Sequence, residues 1–231
     1  MKTLSVGSNM AKKVFTHNLS EPLGSATTAK VDINTGDGNL TIDRLIGGEQ
    51  VLASGMLQYF ENQGPPTRTL NSSNGQATLT LKASGTRRPW FRFPWAACNG
   101  AFEWQIHLNP TVSSEITAHS GGGNVKLDLA GMAVTRVSAD TGGGNMDVVL
   151  PDNASGLNVK ASTGAGNVVV LVPSGIAAKI HATSGLGKVI VDSRFSKIDG
   201  NTYQSPDYDG AAHKVEITVS SGAGNVSVNT K

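Results

Sequence analysis

Residues 116–172 read ITAHSGGGNVKLDLAGMAVTRVSADTGGGNMDVVLPDNASGLNVKASTGAGNVVVLV, and this stretch decides the fold. It contains three motifs of the form Ser/Thr-Gly-x-Gly-Asn, whose first glycines lie at 121, 142 and 164, a spacing of 21 and 22 residues. On both sides of each motif, apolar and polar residues alternate. Alternation with a period of two is typical of a strand with one buried face. Each repeat is therefore predicted to be a strand, a glycine corner and a second strand.

Three more copies of the corner motif, at residues 35–39, 184–188 and 221–225, extend the pattern towards both ends of the chain. Along the whole chain, successive first glycines are 85, 21, 22, 21 and 37 residues apart. Tight turns between strands need positive φ, which glycine and asparagine tolerate best. The asparagine column is expected to stack amide on amide. The predicted structural corner glycines are Gly36, Gly38, Gly121, Gly123, Gly142, Gly144, Gly164, Gly166, Gly185, Gly187, Gly222 and Gly224.

The columns around the corners predict how the repeats are buried. Four and two residues before the Ser/Thr, and five and seven residues after it, every copy carries an apolar residue. One repeat cannot bury this face alone, whereas stacked repeats place like residues above like. We predict an all-β fold, a single β-solenoid of rungs of about 21–22 residues with Gly-rich corners over residues 14–231, after a flexible tail at residues 1–13. A two-layer sandwich with ordinary hairpins is the alternative, and the regular period favours the solenoid.

Two segments depart from this register. Residues 46–115 contain alternating stretches without a clean motif, so they are predicted to form atypical rungs and an aromatic loop. Terminal repeats of a solenoid are usually atypical, because they cap the open core and hide a sheet edge. Residues 194–212 lengthen the last period and carry Tyr203 and Tyr208, and they are predicted to form an inserted surface loop.

The aromatic loop is the strongest candidate for a binding site. All three tryptophans of the chain fall within residues 90–104, and two prolines make the segment a poor regular strand. Three interpretations stand side by side: a plug over one end of the solenoid, a partner-binding patch, since Trp and Arg are enriched at interfaces, and a contact with a membrane interface. The candidate partner-binding residues are Arg87, Arg88, Trp90, Phe91, Arg92, Phe93 and Trp95.

Composition and motifs argue against several classes of function. The formal net charge is +2 and 16% of residues are charged, without the concentrated basic face that is typical of nucleic-acid binding. Cys98 is the only cysteine, and the five histidines show no metal-site spacing. Residues 32–43 superficially resemble a calcium loop, but position twelve is Asp43 in place of glutamate. No catalytic motif is found, and we predict no enzymatic activity, no cofactor and no metal.

Hydropathy gives an expectation for location. The N-terminus carries no apolar run of signal-peptide length, and no stretch of about 18 apolar residues occurs in the sequence. The protein as written is therefore expected in the cytoplasm, with association to the cell envelope only through a partner. Nothing in the sequence specifies an oligomeric state.

Several runs together resemble the toast-rack domain. They are AKVDINTGDGNLTI at 29–42, WQIHLNP at 104–110, the repeats quoted above, and DGNTYQSPDYDGAAHKVEITVSSGAGNVSV at 199–228. That domain is similar to the C-terminal part of LiaF-type cell-wall-stress regulators and to the putative-adhesin group of β-solenoids. The resemblance covers residues 14–231 and implies a β-helical fold with an envelope-linked regulatory or scaffolding role. It supplies no catalytic residues. LiaF-type proteins carry N-terminal membrane helices, which this sequence lacks.

A scaffold is the function that these observations favour. We predict a non-enzymatic interaction module, linked to cell-envelope stress regulation through contacts with a protein partner that the sequence does not identify. A surface adhesin or a glycan-binding solenoid is the alternative. Binding of nucleic acid is not expected, and any membrane contact is expected to be indirect.

Overall fold

A computed structural model describes residues 13–47, 50–85 and 102–231. All regular structure in these ranges is β-strand, as predicted, and they contain no helix that is long and apolar enough to cross a membrane. The strands are β1 (Val14–Pro22), β2 (Thr28–Asn34), β3 (Asn39–Arg44), β4 (Val51–Phe60), β5 (Thr67–Ser73), β6 (Gln76–Lys82), β7 (Glu103–Leu108), β8 (Ser113–Ser120), β9 (Val125–Asp128), β10 (Val134–Gly143), β11 (Met146–Val149), β12 (Leu157–Ala165), β13 (Val168–Val172), β14 (Ala177–Leu186), β15 (Val189–Val191), β16 (Ser196–Asp199), β17 (Thr202–Gln204), β18 (Lys214–Ala223) and β19 (Val226–Thr230).

The described strands form two mixed sheets that share one hydrophobic core. The first sheet has the order β1-β4-β7-β3-β9-β11-β13-β19-β15, and the second has the order β16-β17-β14-β18-β12-β10-β8-β2-β6-β5. Neighbours are parallel through the middle of both sheets, and antiparallel pairs occur at β1–β4, β4–β7, β5–β6, β14–β17 and β16–β17. Each corner motif connects a strand of the second sheet to a strand of the first.

Apolar residues of neighbouring strands are paired in register. Val148 of β11 lies opposite Leu127 of β9 on one side and Val170 of β13 on the other, and all three side chains are buried. Val148 and Val170, which both stand seven residues after the Ser/Thr of their motifs, are therefore neighbours in the sheet. The intervening residue Asp147 points outward and is exposed. The second sheet shows the same arrangement in the buried column Leu79, Val31, Ile116, Val137, Val159, Ile217 and Ile180.

The order of the strand pairs in space differs from their order along the chain. Both sheets place β18 and β19 between the pair β12/β13 and the pair β14/β15. The last repeat of the sequence is therefore not the last repeat of the stack. At the opposite end, β6 and β7 lie outside β2 and β3, although they follow them in the chain. A regular period identifies equivalent residues in each repeat, but it does not identify which repeats are neighbours.

Strands β4, β5, β6 and β7, all from residues 46–115, lie at one end of the stack. In the first sheet β4 and β1 continue beyond β7, and in the second sheet β5 continues beyond β6. Trp104 of β7 is fully buried, and its Nε1 donates to the backbone carbonyl of Gln58 at 2.9 Å. This ring therefore belongs to the core at that end of the molecule.

The insertion at residues 194–212 adds two strands to the second sheet at the other end of the stack. It contains a short hairpin of β16 and β17, and β17 pairs antiparallel with β14. Tyr203 of β17 lies opposite Ile180 and packs partly buried against the core. A segment predicted only as a surface loop thus contains two strands, because Tyr203 extends the apolar column by one more position.

The register predicts opposite effects for two neighbouring substitutions. Val148→Asp should destabilise the protein by several kcal/mol, because it places an unpaired carboxylate in a buried column. Asp147→Ser changes the exposed neighbour and should cost no more than about 0.5 kcal/mol. Thermal unfolding of the two variants makes the comparison, and equal shifts in melting temperature would contradict the alternation.

Candidate functional site

The predicted partner-binding residues lie outside the described residues, but the flanks of their loop are placed. Both flanks reach the corner at residues 35–39: the Ala83 backbone N–H donates to the Asn34 carbonyl at 2.8 Å, and the Asn39 N–H donates to the Phe102 carbonyl at 2.9 Å. A cavity of about 210 Å³ lies between these flanks and the corner, and Asp37 and Phe102 contribute to its lining. The described residues on both sides of the aromatic loop therefore lie beside the first corner of the chain.

The corners themselves form a hydroxyl ladder, in which five of the six motif hydroxyls donate to the carbonyl of the motif's second glycine in the adjacent corner. Thr35, in the first corner, donates instead to Gly38 of its own corner at 3.0 Å. The five contacts are Ser120 to Gly38 at 2.8 Å, Thr141 to Gly123 at 2.8 Å, Thr163 to Gly144 at 2.8 Å, Ser221 to Gly166 at 2.8 Å and Ser184 to Gly224 at 2.7 Å. These bonds satisfy carbonyl groups that the tight corners would otherwise leave unpaired.

An asparagine ladder runs beside the hydroxyl ladder. The backbone N–H of the fifth motif residue donates to the side-chain Oδ1 of the asparagine in the adjacent corner. The five contacts are Asn124 to Asn39 at 2.9 Å, Asn145 to Asn124 at 2.9 Å, Asn167 to Asn145 at 2.9 Å, Asn225 to Asn167 at 2.8 Å and Lys188 to Asn225 at 2.9 Å. The asparagines therefore form a column, but its hydrogen bonds join each side-chain oxygen to a neighbouring backbone N–H and not amide to amide as expected.

Close approach of adjacent backbones explains the corner glycines. A Cβ on Gly222 would lie 2.6 Å from the carbonyl oxygen of Gly164, and a Cβ on Gly185 would lie 2.6 Å from that of Gly222. In five motifs the second glycine is equally constrained by the carbonyl of the neighbouring second glycine, whereas a Cβ on Gly38 would meet the ring of Phe102. Positive φ, the expected reason for glycine, occurs at only three of the twelve, Gly36, Gly166 and Gly224. That expectation is therefore wrong for the other nine glycines, because the limit is the carbonyl oxygen of the adjacent corner at eight of them and the Phe102 ring at Gly38.

This packing predicts different effects for two glycines of one corner. Gly144→Ala should destabilise the protein by about 2 kcal/mol or more, because the new Cβ would overlap the Gly123 carbonyl and disturb both ladders. Gly143→Ala is the matched control, since its Cβ would meet nothing within 4 Å. Urea unfolding measures both changes. A Gly143→Ala variant that is destabilised as much as Gly144→Ala would refute the steric explanation.

Family comparison agrees with this architecture. Residues 8–171, more than half of the chain, match the family described as N-terminal domain of toast_rack, DUF2154. This chain belongs to the toast-rack family. Residues 146–228 of this toast-rack protein also match the family described as cell wall-active antibiotics response LiaF, C-terminal. The resemblance seen in the sequence is thereby confirmed, and neither family is a family of enzymes.

The toast-rack chain is also similar to solved structures. The crystal structure of a "putative cell adhesion protein" from Clostridium sporogenes ATCC 15579 has 24% sequence identity and a TM-score of 0.84, over 95% of this chain and 100% of that chain. That likeness shows a shared fold. The crystal structure of a "putative adhesin" from Bacteroides fragilis NCTC 9343 has 12% identity and a TM-score of 0.33, over 94% and 98% of the two chains. Among curated proteins, none matches the sequence significantly.

The toast-rack stack ends where the asparagine ladder ends. Lys188 occupies the fifth motif position of the corner at residues 184–188, and its backbone N–H still donates to Asn225. A lysine side chain carries no acceptor, so it cannot receive an N–H from a further corner. β15, which follows this corner, is the edge strand of the first sheet and has only three residues. A short edge strand beside a lysine is typical of an edge protected against further pairing.

Four titratable side chains of the toast rack form two cross-strand pairs. Nδ1 of His107 contacts Asp43 between β7 and β3, and Nδ1 of His119 contacts Asp140 between β8 and β10. All four side chains are more than one-third exposed. In the part of the chain that the structure describes, no group of three or more His, Cys, Asp or Glu side chains is arranged to hold a metal ion. These pairs are therefore surface contacts between neighbouring strands.

A polar pocket of about 210 Å³ lies where β17 meets the outer face of the second sheet. Lys179 and Glu216 line it from adjacent strands in one outward column. The hydroxyl of Tyr208 donates to Oε1 of Glu216 at 3.3 Å. Partial burial raises the pKa of Tyr208 above its ordinary value, and the Glu216 carboxylate adds to the shift. Sequence reasoning missed this pocket, although the signal was a Lys and a Glu at equivalent positions of two repeats.

Asp192 ties the turn after β15 to the end of β19. Its Oδ1 accepts the backbone N–H of Arg194 at 2.9 Å, and its Oδ2 accepts that of Thr230 at 3.2 Å. These hydrogen bonds, that of Arg194 first, hold the pKa of Asp192 below its ordinary value. A carboxyl whose pKa is lowered by folding stabilises the folded state above its unfolded pKa, and this stabilisation is lost as the pH falls through the folded pKa.

Acidification should therefore distinguish Asp192 from other aspartates. We expect the wild type to lose stability as the pH falls below about 4, and we expect Asp192→Asn to lose less over the same range. Melting temperatures between pH 7 and pH 3 measure the difference. Asp147→Asn is the matched control, because its exposed carboxylate accepts no hydrogen bond from the described residues. An Asp192→Asn variant with the pH profile of the wild type would contradict the role of these bonds.

Proposed function

We propose that this toast-rack protein is a non-enzymatic scaffold that binds a protein partner and links it to the cell-envelope stress response. The observation that carries the proposal is the match of residues 146–228 to the C-terminal domain of LiaF, a family described by its response to cell wall-active antibiotics. This segment runs from β11 almost to the end of β19 and includes three of the ladder corners. The proposed role is therefore attached to the C-terminal repeats of the chain.

The scaffold is proposed to be a solenoid with rungs of about 21–22 residues, forming one domain over residues 14–231 after a tail at residues 1–13. Support comes from the parallel, in-register pairing and from the identical order of strand pairs in the two sheets. Ladders at every corner would make such a stack stiff, so its outer faces suit binding over an extended area. We propose that the protein is cytoplasmic and that it associates with the cell envelope only through its partner.

The loop at residues 87–95 is the proposed contact with the partner. It concentrates Trp, Phe and Arg side chains, and Trp and Arg are enriched among the residues that contribute most to binding. Support also comes from its flanks, which hydrogen bond to the corner at residues 35–39 and so fix both ends of the loop to the stack. The outer faces of the repeats offer mainly small polar side chains, which are weak anchors by comparison.

A double substitution in this loop tests the proposal. Trp90→Ala combined with Trp95→Ala should lower recovery of the partner from a solubilised envelope fraction of the native host, at an unchanged melting temperature. The matched control combines Ile46→Ala with Leu186→Ala, two apolar side chains that are 83% and 79% exposed outside the loop. A large loss of stability with undiminished recovery would assign the loop to a plug and contradict the binding role. Undiminished recovery at unchanged stability would contradict it as well.

Glycan binding is a second candidate function, and one observation favours it. The pocket beside β17 is lined by lysine, histidine, glutamate, asparagine and threonine side chains, and its single aliphatic lining residue, Ile217, is only 2% exposed. A surface of this kind offers hydrogen bonds and little apolar contact. It suits a hydroxyl-rich ligand better than an apolar peptide segment.

A further inference from the structure

The two ends of the first sheet differ in how their edge strands are protected. β15, at one end, has three residues and directly follows Lys188. β1, at the other end, has nine residues, and residues 14–20 include no Asp, Glu, Lys or Arg. Within the described ranges β1 pairs only with β4, so its outer edge is free. Short strands and charged side chains are the usual protection of an edge, and β1 has neither along most of its length.

The backbone groups of β1 are divided between its two edges. The Glu61 N–H donates to the Lys13 carbonyl at 3.1 Å, and the β1–β4 pairing is regular from residue 14 to residue 21. In an antiparallel pair, residues that exchange hydrogen bonds with the partner strand alternate with residues that do not. The odd-numbered residues of β1 therefore bond to β4, whereas the even-numbered residues from 14 to 20 direct their N–H and C=O groups to the free edge.

The inner face of β1 is incompletely covered. Phe15 and His17 are half-buried, although Leu19 on the same face is only 3% exposed. His17 lies opposite Leu57 of β4 and so ends the buried column that includes Trp104. Nε2 of His17 is buried and has no hydrogen-bond partner among the described residues. A buried nitrogen without a partner costs free energy, which a suitable neighbour at the free edge would recover.

The sequence of β1 and the residue before it is self-complementary about His17. In an antiparallel pairing of two copies centred on this residue, Phe15 of one copy lies opposite Leu19 of the other, and Lys13 lies opposite Glu21. This register also pairs even-numbered residues with even-numbered ones, so the free backbone groups meet. A centre one residue earlier would place Lys13 opposite Leu19, and a centre one residue later would place Phe15 opposite Glu21. Self-complementarity is what a two-fold interface requires.

We propose that this protein forms a two-fold symmetric dimer in which β1 pairs antiparallel with β1 of a second copy, centred on His17. Thr16 of each copy exchanges backbone hydrogen bonds with Asn18 of the other, and the first sheet continues from one copy into the next. The two imidazoles meet at the axis, where Nε2 of one donates to Nε2 of the other. Two copies of each binding surface on one dimer let a partner with two sites bind more tightly than it binds a single copy.

The backbone bonds and the apolar contacts contribute most to this interface. Glu21 already forms an ion pair with Arg68 of β5 at 2.8 Å, and its side chain is 8% exposed, so its contact with Lys13 of the other copy adds little. The same ion pair joins β1 to the second sheet. The edge strand is therefore held in place before a second copy binds, and little conformational freedom is lost on pairing.

Disulfide formation tests the register. His17→Cys in a Cys98→Ser background, which leaves one thiol per chain, should give a disulfide-linked dimer on mild oxidation, because opposing residues of a non-hydrogen-bonded pair have Cβ atoms about 4.5 Å apart. Ser20→Cys in the same background is the matched control, since the two copies of residue 20 would be about 20 Å apart, six residues at about 3.4 Å each. Non-reducing electrophoresis measures both. Failure of His17→Cys to cross-link, or equal cross-linking of the two variants, would overturn the register.

Sedimentation equilibrium tests the dimer without a cross-link. Thr16→Pro should weaken dimerisation about tenfold, the effect of losing two ordinary hydrogen bonds, because proline removes an N–H at the free edge of each copy. Thr16→Ala, the matched control, keeps this N–H and should dimerise like the wild type. Asn18→Lys leaves the backbone intact and should also weaken dimerisation, because it adds a charge to the edge. A wild type that is monomeric up to millimolar concentration, or a dimer that Thr16→Pro and Asn18→Lys leave unchanged, would overturn the proposal.

Discussion

The close approach of neighbouring corners is the constraint on which the rest of the structure depends. Glycine brings each corner so near to the next that one added methyl group would overlap a carbonyl oxygen, as at Gly222 above Gly164. Only at this distance do the Ser/Thr hydroxyl and the Asn side chain reach the adjacent corner, at 2.7–2.9 Å. Because these bonds fix the corner, the strands that leave it have one register, and their apolar columns meet in the core. A change at one corner therefore affects hydrogen bonding and core packing together.

The ladders also have a direction, which is visible in the residue types of each corner. Glycine in each corner accommodates the neighbour on one side, whereas asparagine accepts from the neighbour on the other side. The corner at residues 184–188 keeps both glycines, which contact the corner of Gly222 and Gly224, and it replaces asparagine with Lys188. That combination describes a corner with a neighbour on one side only. Asn225, in the last motif of the sequence, is retained because the Lys188 backbone donates to it.

Much of this architecture could be predicted from the sequence, for a clear physical reason. The buried columns must be apolar, and two positions of each corner must be glycine. Both requirements therefore appear as periodic patterns in the sequence. The stacking order could not be predicted from the period, since all middle repeats carry the same apolar columns. The one indication was Lys188, which replaces the asparagine in the corner that ends the stack. The pocket at Lys179 was missed because an outward column tolerates any polar residue. The pocket depends on the three-dimensional position of the insertion, which brings β17 against β14.

The same constraint determines where function can reside in a toast rack. Inner columns and corners are fixed by their neighbours on two sides, so substitutions there change stability before they change any surface. The insertions are free of this requirement, since each needs only to leave the stack and return to it. The segment at residues 194–212 shows the result: one tyrosine, Tyr203, continues the core, and the other, Tyr208, donates a hydrogen bond to Glu216 on the outer face of the sheet. An insertion can thus add new side chains to the outer face of a repeat scaffold while the inner columns and the corners keep their pattern.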